Sequence, residues 1–140
     1  IPLLRKRSEH NEGRLHNLEE LSLHQENLEL IGPVLNRTCG NTLKILLLQN
    51  NVISKIDKDL RQCRALEYLN LALNNLSIVE GLASCEFLNK LDLTLNFVSL
   101  NNLEESLDNL SQLEQLRELY LIGNPCAEEN HLDCKIKVIG

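Results

Sequence analysis

The sequence predicts an α/β fold, a leucine-rich-repeat solenoid with a parallel β-sheet on its concave side and short helices and 3-10 turns on its convex side. Three observations carry that reading. Leucine supplies 33 of the 140 residues while Met and Trp are absent. The pattern L-x-x-L-x-L-x-x-N-x-L recurs along the chain, and its period sits near the roughly 22 residues of the short repeat type.

Four copies carry the Asn. They are Leu43, Leu46, Leu48, Asn51, Ile53; Leu66, Leu69, Leu71, Asn74, Leu76; Leu88, Leu91, Leu93, Asn96, Val98; and Leu116, Leu119, Leu121, Asn124 with Cys126 in the closing apolar position. A degenerate first copy, Leu18, Leu21, Leu23, Glu26, Leu28, keeps the leucines and loses the Asn, as a terminal repeat does. The expected organisation is a helical cap over residues 1–17, five repeats over 18–126 and a tail over 127–140. One repeat cannot bury its apolar face alone, so the leucines point into a core shared between stacked coils.

Spacing also describes the convex side. Leu76, Val79, Leu82, Cys85 and Leu88 fall every third residue, as successive tight turns require. The fourth repeat runs from Leu88 to Leu116, longer than the others, and its Leu103, Leu107 and Leu110 form a three- and four-spaced stripe. That stripe predicts an inserted α-helix.

The Asn amide carries both donors and an acceptor, which suits backbone groups left unpaired where a strand bends into a loop. Asn51, Asn74, Asn96 and Asn124 are therefore assigned to an interior ladder. Cys63 and Cys85 each precede a repeat's first leucine by three residues, the place of a small apolar filler.

Several function classes find no support. The formal net charge is −6, from 14 basic and 20 acidic residues, and the longest basic run is Arg5, Lys6, Arg7; nucleic-acid binding needs a clustered positive surface. No apolar stretch approaches a membrane span, and no signal-peptide pattern opens the chain, so a cytoplasmic protein is expected. Five cysteines make no disulfide framework. No nucleophile with a matching base is recognisable, so no enzyme and no cofactor are expected. Cys126, His131 and Cys134 are three soft ligands without a fourth, and no metal site is assigned to them.

Side chains alternate along a strand, so residues flanking the central leucine of each repeat face the concave surface. The column before it reads Glu20, Ile45, Tyr68, Lys90, Glu118; the column after it reads Ser22, Leu47, Asn70, Asp92, Tyr120; the next outward column reads His24, Gln49, Ala72, Thr94, Ile122. Ile45, Leu47 and Tyr68 predict an apolar patch with an aromatic anchor, flanked by Asn70, Lys90, Asp92, Glu118 and Tyr120. This is the expected protein-binding face.

Segments such as Leu66-Glu67-Tyr68-Leu69-Asn70-Leu71-Ala72-Leu73-Asn74-Asn75, Lys90-Leu91-Asp92-Leu93-Thr94-Leu95-Asn96-Phe97 and Leu116-Arg117-Glu118-Leu119-Tyr120-Leu121-Ile122-Gly123-Asn124-Pro125-Cys126 closely resemble the tilB-type axonemal dynein assembly factors. Arg7-Ser8-Glu9-His10-Asn11 resembles the N-terminal cap of that family. The resemblance implies a non-catalytic cytoplasmic factor of ciliated or flagellated cells that helps pre-assemble dynein arms, with dynein arm subunits or assembly chaperones as partners. After Cys126 the family continues into a capping segment, a coiled coil and a co-chaperone-like β domain, none recognisable in residues 127–140. Ile136 and Val138, alternating with Lys135 and Lys137, predict one further edge strand and weak self-association at that end.

Two other binding readings use the same repeat. One is a regulatory subunit of protein phosphatase 1. The other is a secreted recognition protein, suggested by Asn124-Pro125-Cys126 with Cys134 and by the glycosylation sequons at Asn36, Asn75 and Asn109.

Overall fold

The computed structural model describes residues 2–11, 13–129 and 135–136. After helix α1 (Pro2–Arg7) and a 3-10 turn (Glu9–Asn11), the chain winds through five coils, each giving one strand: β1 (Glu20–Ser22), β2 (Ile45–Leu47), β3 (Tyr68–Asn70), β4 (Lys90–Asp92) and β5 (Glu118–Tyr120). Helix α2 (Val34–Thr38) follows β1, α3 (Leu100–Leu110) follows β4, and α4 (Pro125–Glu129) follows β5. The strands pair in chain order as an open sheet, parallel from β1 to β5. Strand β6 (Lys135–Ile136) adds the expected edge strand and runs antiparallel to β5, with Leu119 opposite Ile136. An end strand offers open N–H and C=O groups that a segment of either direction can pair. Val138 and Lys137 lie outside the described residues.

The central leucines of the five strands, Leu21, Leu46, Leu69, Leu91 and Leu119, are buried, as are Leu18, Leu43, Leu66, Leu88 and Leu116 ahead of them. Full burial of one such side chain contributes about 1.5–3 kcal/mol, so the period of the leucines alone sets where each coil turns inward. On the far side the chain descends by i→i+3 bonds placed three residues apart. Cys85 N–H donates to Leu82 O at 2.9 Å and Leu88 N–H to Cys85 O at 3.0 Å; Cys63 to Leu60 and Leu66 to Cys63 repeat the pattern. Cys63 and Cys85 fill the core at these turns, fully buried.

Helix α3 covers the stretch that the leucine stripe marks, but it docks differently from the expected stripe. Leu110 is buried and Leu103 is partly so, whereas Leu107 faces solvent. The inward position beside it belongs to Ser106, whose Oγ accepts the N–H of Val79 at 3.0 Å, while Asn109 donates from Nδ2 to Val79 O at 2.9 Å. The helix is thus tied to one peptide of the preceding coil, and that polar seat turns Leu107 outward.

The asparagines bridge coils. Asn51 accepts the N–H groups of Glu26 and Leu28, each at 3.0 Å, and donates to Leu23 O and Leu48 O. Asn74, Asn96 and Asn124 repeat this one coil at a time, accepting from Ile53, Leu76 and Val98. In the first coil Glu26 stands at this position, and among the described residues no coil precedes it. It pairs instead with Arg7 of α1 at 3.4 Å, whose guanidinium also donates to His24 O at 2.9 Å. His10 Nε2 donates to Glu20 O at 2.9 Å. The N-terminal segment thereby covers the open edge of β1, which would otherwise offer unpaired backbone to a stray strand.

The residue before each ladder position takes a left-handed conformation: Gln25, Asn50, Leu73, Leu95 and Gly123, with φ of 55°, 59°, 58°, 56° and 77°. Gly and Asn adopt it readily, but for leucine it costs about 1–3 kcal/mol.

Candidate protein-binding surface

Strand register decides which side chains meet. Glu20, Ile45, Tyr68, Lys90 and Glu118 align in one column, and Ser22, Leu47, Asn70, Asp92 and Tyr120 in the other. Apart from exposed Glu20, all are partly buried. Ile45 therefore lies across from Tyr68, but Leu47 lies across from Asn70 and is only diagonal to Tyr68. A parallel register pairs equal positions of successive coils, so within the expected patch Ile45 faces Tyr68 directly and Leu47 stands diagonal to it.

The centre of the face is a cation between two rings. The Lys90 ammonium lies 4.8 Å from the Tyr68 ring centroid and 5.4 Å from that of Tyr120. Such contacts, within about 6 Å, hold an ammonium over the aromatic faces of neighbouring strands. The Tyr68 hydroxyl accepts from Asn70 Nδ2 at 3.1 Å, and Asn70 Oδ1 accepts the N–H of Ala72 at 2.9 Å. Asp92 makes the equivalent turn, accepting from Thr94 N–H at 3.0 Å and Thr94 Oγ at 2.6 Å. Asn70 and Asp92 are thus partly committed to their own strand ends, which fixes their side chains. Gln49 Oε1, in the third column, is buried and has no hydrogen-bond partner among the described residues.

At the N-terminal ends of β2 to β4 a cleft of about 560 Å³ is lined by Ile45, Glu67, Tyr68, Phe87, Asn89, Lys90 and Gln115. It joins three residues of the first column to Phe87, which is 54% exposed. The alternation rule misses Phe87 because it precedes the strand, next to the buried Leu88; a large apolar residue at a position that the repeat leaves free was the available signal.

Other candidates are placed as follows. Asn51, Asn74, Asn96 and Asn124 are buried in the inter-coil bonds above. Cys126 is buried, while His131 and Cys134 lie outside the described residues; among the described residues no group of three or more His, Cys, Asp or Glu is arranged to hold a metal. Burial pushes the Cys63 and Cys85 thiols up to about 12, with the neighbouring Cys85 and Cys39 adding to the shift at Cys63. Asn36 donates to Lys58 O and accepts from Gln62 N–H, both at 3.0 Å, so two of the three sequons, at Asn36 and Asn109, are engaged in bonds between coils. No helix among the described residues is long and apolar enough to cross a membrane.

The structure is an open α/β stack with five parallel strands in one sheet, compatible with a repeat solenoid. Comparison of sequences narrows this. The chain is 46% identical over 126 residues to dynein axonemal assembly factor 11 of Mus musculus and 52% identical over 127 residues to that of Danio rerio, in each case 90% of the chain. It is 51% identical over 130 residues, 92% of the chain, to protein tilB of Drosophila melanogaster. Its tilB-type character is thereby shown over the aligned residues. The chain spans 25%, 27% and 31% of the lengths of these three relatives. No family model matches it.

Proposed function

We propose that the chain is a leucine-rich-repeat module, without catalytic activity or cofactor, that binds protein partners of axonemal dynein arm assembly on its concave sheet. The observation that carries the reading is the Tyr68–Lys90–Tyr120 cluster, with Ile45 across from Tyr68 in the same column. Nothing in the stacking of coils needs an ammonium between two aromatic rings, and large aromatic side chains are the usual anchors of protein interfaces. The names of the relatives, dynein axonemal assembly factor 11 and tilB, supply the process. On this reading the chain works in the cytoplasm of ciliated or flagellated cells. Residues 1–17 cap the stack, residues 18–126 form five repeats, and the partners are dynein arm subunits or their assembly chaperones.

The test is a quantitative pull-down of axonemal dynein arm subunits and assembly chaperones from ciliated-cell extract. The parent chain should retain them. The double variant Leu47→Asp/Tyr68→Ala, folded by circular dichroism, should retain at least about tenfold less, since loss of an anchor commonly exceeds 2 kcal/mol. Glu104→Lys on helix α3 should retain as much as the parent. Equal retention by the double variant would overturn the concave assignment.

A further inference from the structure

Five exposed apolar side chains lie beside the two inner concave columns, on the flank where the strands turn outward. Val52, Leu73, Leu95, Phe97 and Ile122 are 41–58% exposed. They come from four successive coils and are held in line by the backbone: Asn50 N–H donates to Ala72 O, Leu73 N–H to Thr94 O and Leu95 N–H to Ile122 O, at 2.8–2.9 Å. The same flank is free of charge. No Asp, Glu, Lys or Arg occurs in residues 45–54, 68–79, 93–103 or 119–127, although the chain has 34 such residues (14 basic plus 20 acidic).

Leu73 and Leu95 sit there at two disadvantages. Their φ values of 58° and 56° are left-handed, where the equivalent coil positions hold Asn50 and Gly123. Their side chains are nearly half exposed and add little to the core. Asparagine would relieve both. Strain combined with apolar exposure at the same position in adjacent coils points to a use outside the fold. Gly123 completes the arrangement, because a Cβ there would lie 2.5 Å from Leu95 Cδ2; only glycine leaves Leu95 room to lie across the last coil.

We propose that this neutral band is a second docking surface and that its occupant is an α-helix of a partner protein, with an uncharged apolar face, laid across the coils along the stack. Charge selects the chemistry: on a chain of net charge −6 this band offers no ionic partner, so a matching face must be apolar and neutral. Spacing selects the helix. Neighbouring strands lie about 4.8 Å apart, close to the roughly 5–6 Å between helix residues three and four apart. Area argues against a second copy of the chain. Five side chains about half exposed give roughly 400 Å², a size often functional on monomers, against about 800 Å² per partner in a stable globular interface.

The experiment uses the isotope-labelled chain and a synthetic helical peptide, blocked at both ends, with Leu every third or fourth residue on one face and Gln, Ser or Ala elsewhere. Amide shifts should concentrate at residues 72–75, 94–97 and 122–123. Leu73→Asn/Leu95→Asn should weaken peptide binding at least tenfold while its unfolding midpoint stays equal or rises. Shifts confined to the two columns of Ile45, Tyr68, Lys90 and of Leu47, Asn70, Asp92, no shifts at all, or a lowered midpoint in the variant would overturn the proposal, the last because it would make the leucines structural. The same shifts on concentrating the chain alone would identify a second copy as the occupant, and would equally overturn it.

Discussion

Asn74 donates from Nδ2 to the carbonyl of Leu48, one coil earlier, at 3.0 Å, and does so from full enclosure. Its amide also satisfies Leu71 O and the N–H of Ile53. Asn74→Ala should therefore leave the Ile53 N–H without its acceptor, while the carbonyls of Leu48 and Leu71 keep the amides of Asn51 and Asn96. A buried orphan costs about 1–3 kcal/mol, so a loss of about that size is expected in denaturant unfolding. Asn74→Asp keeps the acceptor but turns a buried carboxylate oxygen toward the carbonyls of Leu48 and Leu71, and should cost at least as much.

Two glycines with the same φ of +77° should respond unequally to alanine. At Gly81 a Cβ would meet the carbonyl oxygens of Asp57 at 2.6 Å and Ile56 at 2.8 Å, which are backbone of the preceding coil. At Gly123 it would meet the flexible end of Leu95. Both substitutions carry the left-handed penalty of about 1–2 kcal/mol; Gly81→Ala should exceed Gly123→Ala by at least about 1 kcal/mol in equilibrium unfolding. An equal response would show that the coil interface at Gly81 yields.

Helix α3 offers a paired test of its docking. Ser106→Ala removes the acceptor of the Val79 N–H and should cost about 1–3 kcal/mol. Leu107→Ser, on the solvent side, should stay within about 0.5 kcal/mol of the parent. Reversed magnitudes would mean the leucine stripe, and not the Ser106–Val79 bond, seats the helix.

The buried thiols give a pH dependence with a definite sign. Cys63 and Cys85 are raised from 9.0 to about 12 in the folded chain. Below pH 9 both states keep the proton and the stabilisation is full. Between pH 9 and 12 only the unfolded chain ionises and binds fewer protons, so stability falls as pH rises through this window. Substituting both by alanine should reduce the slope of stability against pH there. In the parent at pH 8, a thiol reagent should modify these two positions only at the rate of unfolding, since the thiolate is the reacting form.

Much of the stack was legible because the leucines that build it repeat. Leu46, Leu69 and Leu91 announce their burial by position alone, and the left-over columns follow from alternation. What escaped was information carried between coils. The pairing of Leu47 with Asn70 depends on register, which a single repeat does not encode. Ser106 displaced Leu107 from the interior because a backbone N–H in another coil needed an acceptor, and composition gives no sign of that need. Phe87 joined the cleft from outside the strand. The left-handed backbone at Leu73 and Leu95 was hidden because leucine, unlike Asn or Gly, seldom adopts it.

The ladder also has a direction. Each asparagine reaches to the coil before it: Asn74 serves Ile53, Asn96 serves Leu76 and Asn124 serves Val98. A coil emerging during synthesis is consequently unfinished even when its own sequence is complete, because its bend stays unsatisfied until the following asparagine arrives, 21, 20 or 26 residues later. Maturation of the stack on the ribosome then trails translation by about one repeat, and an arrest just upstream of Asn96 would expose the Leu76 N–H in an otherwise wound chain.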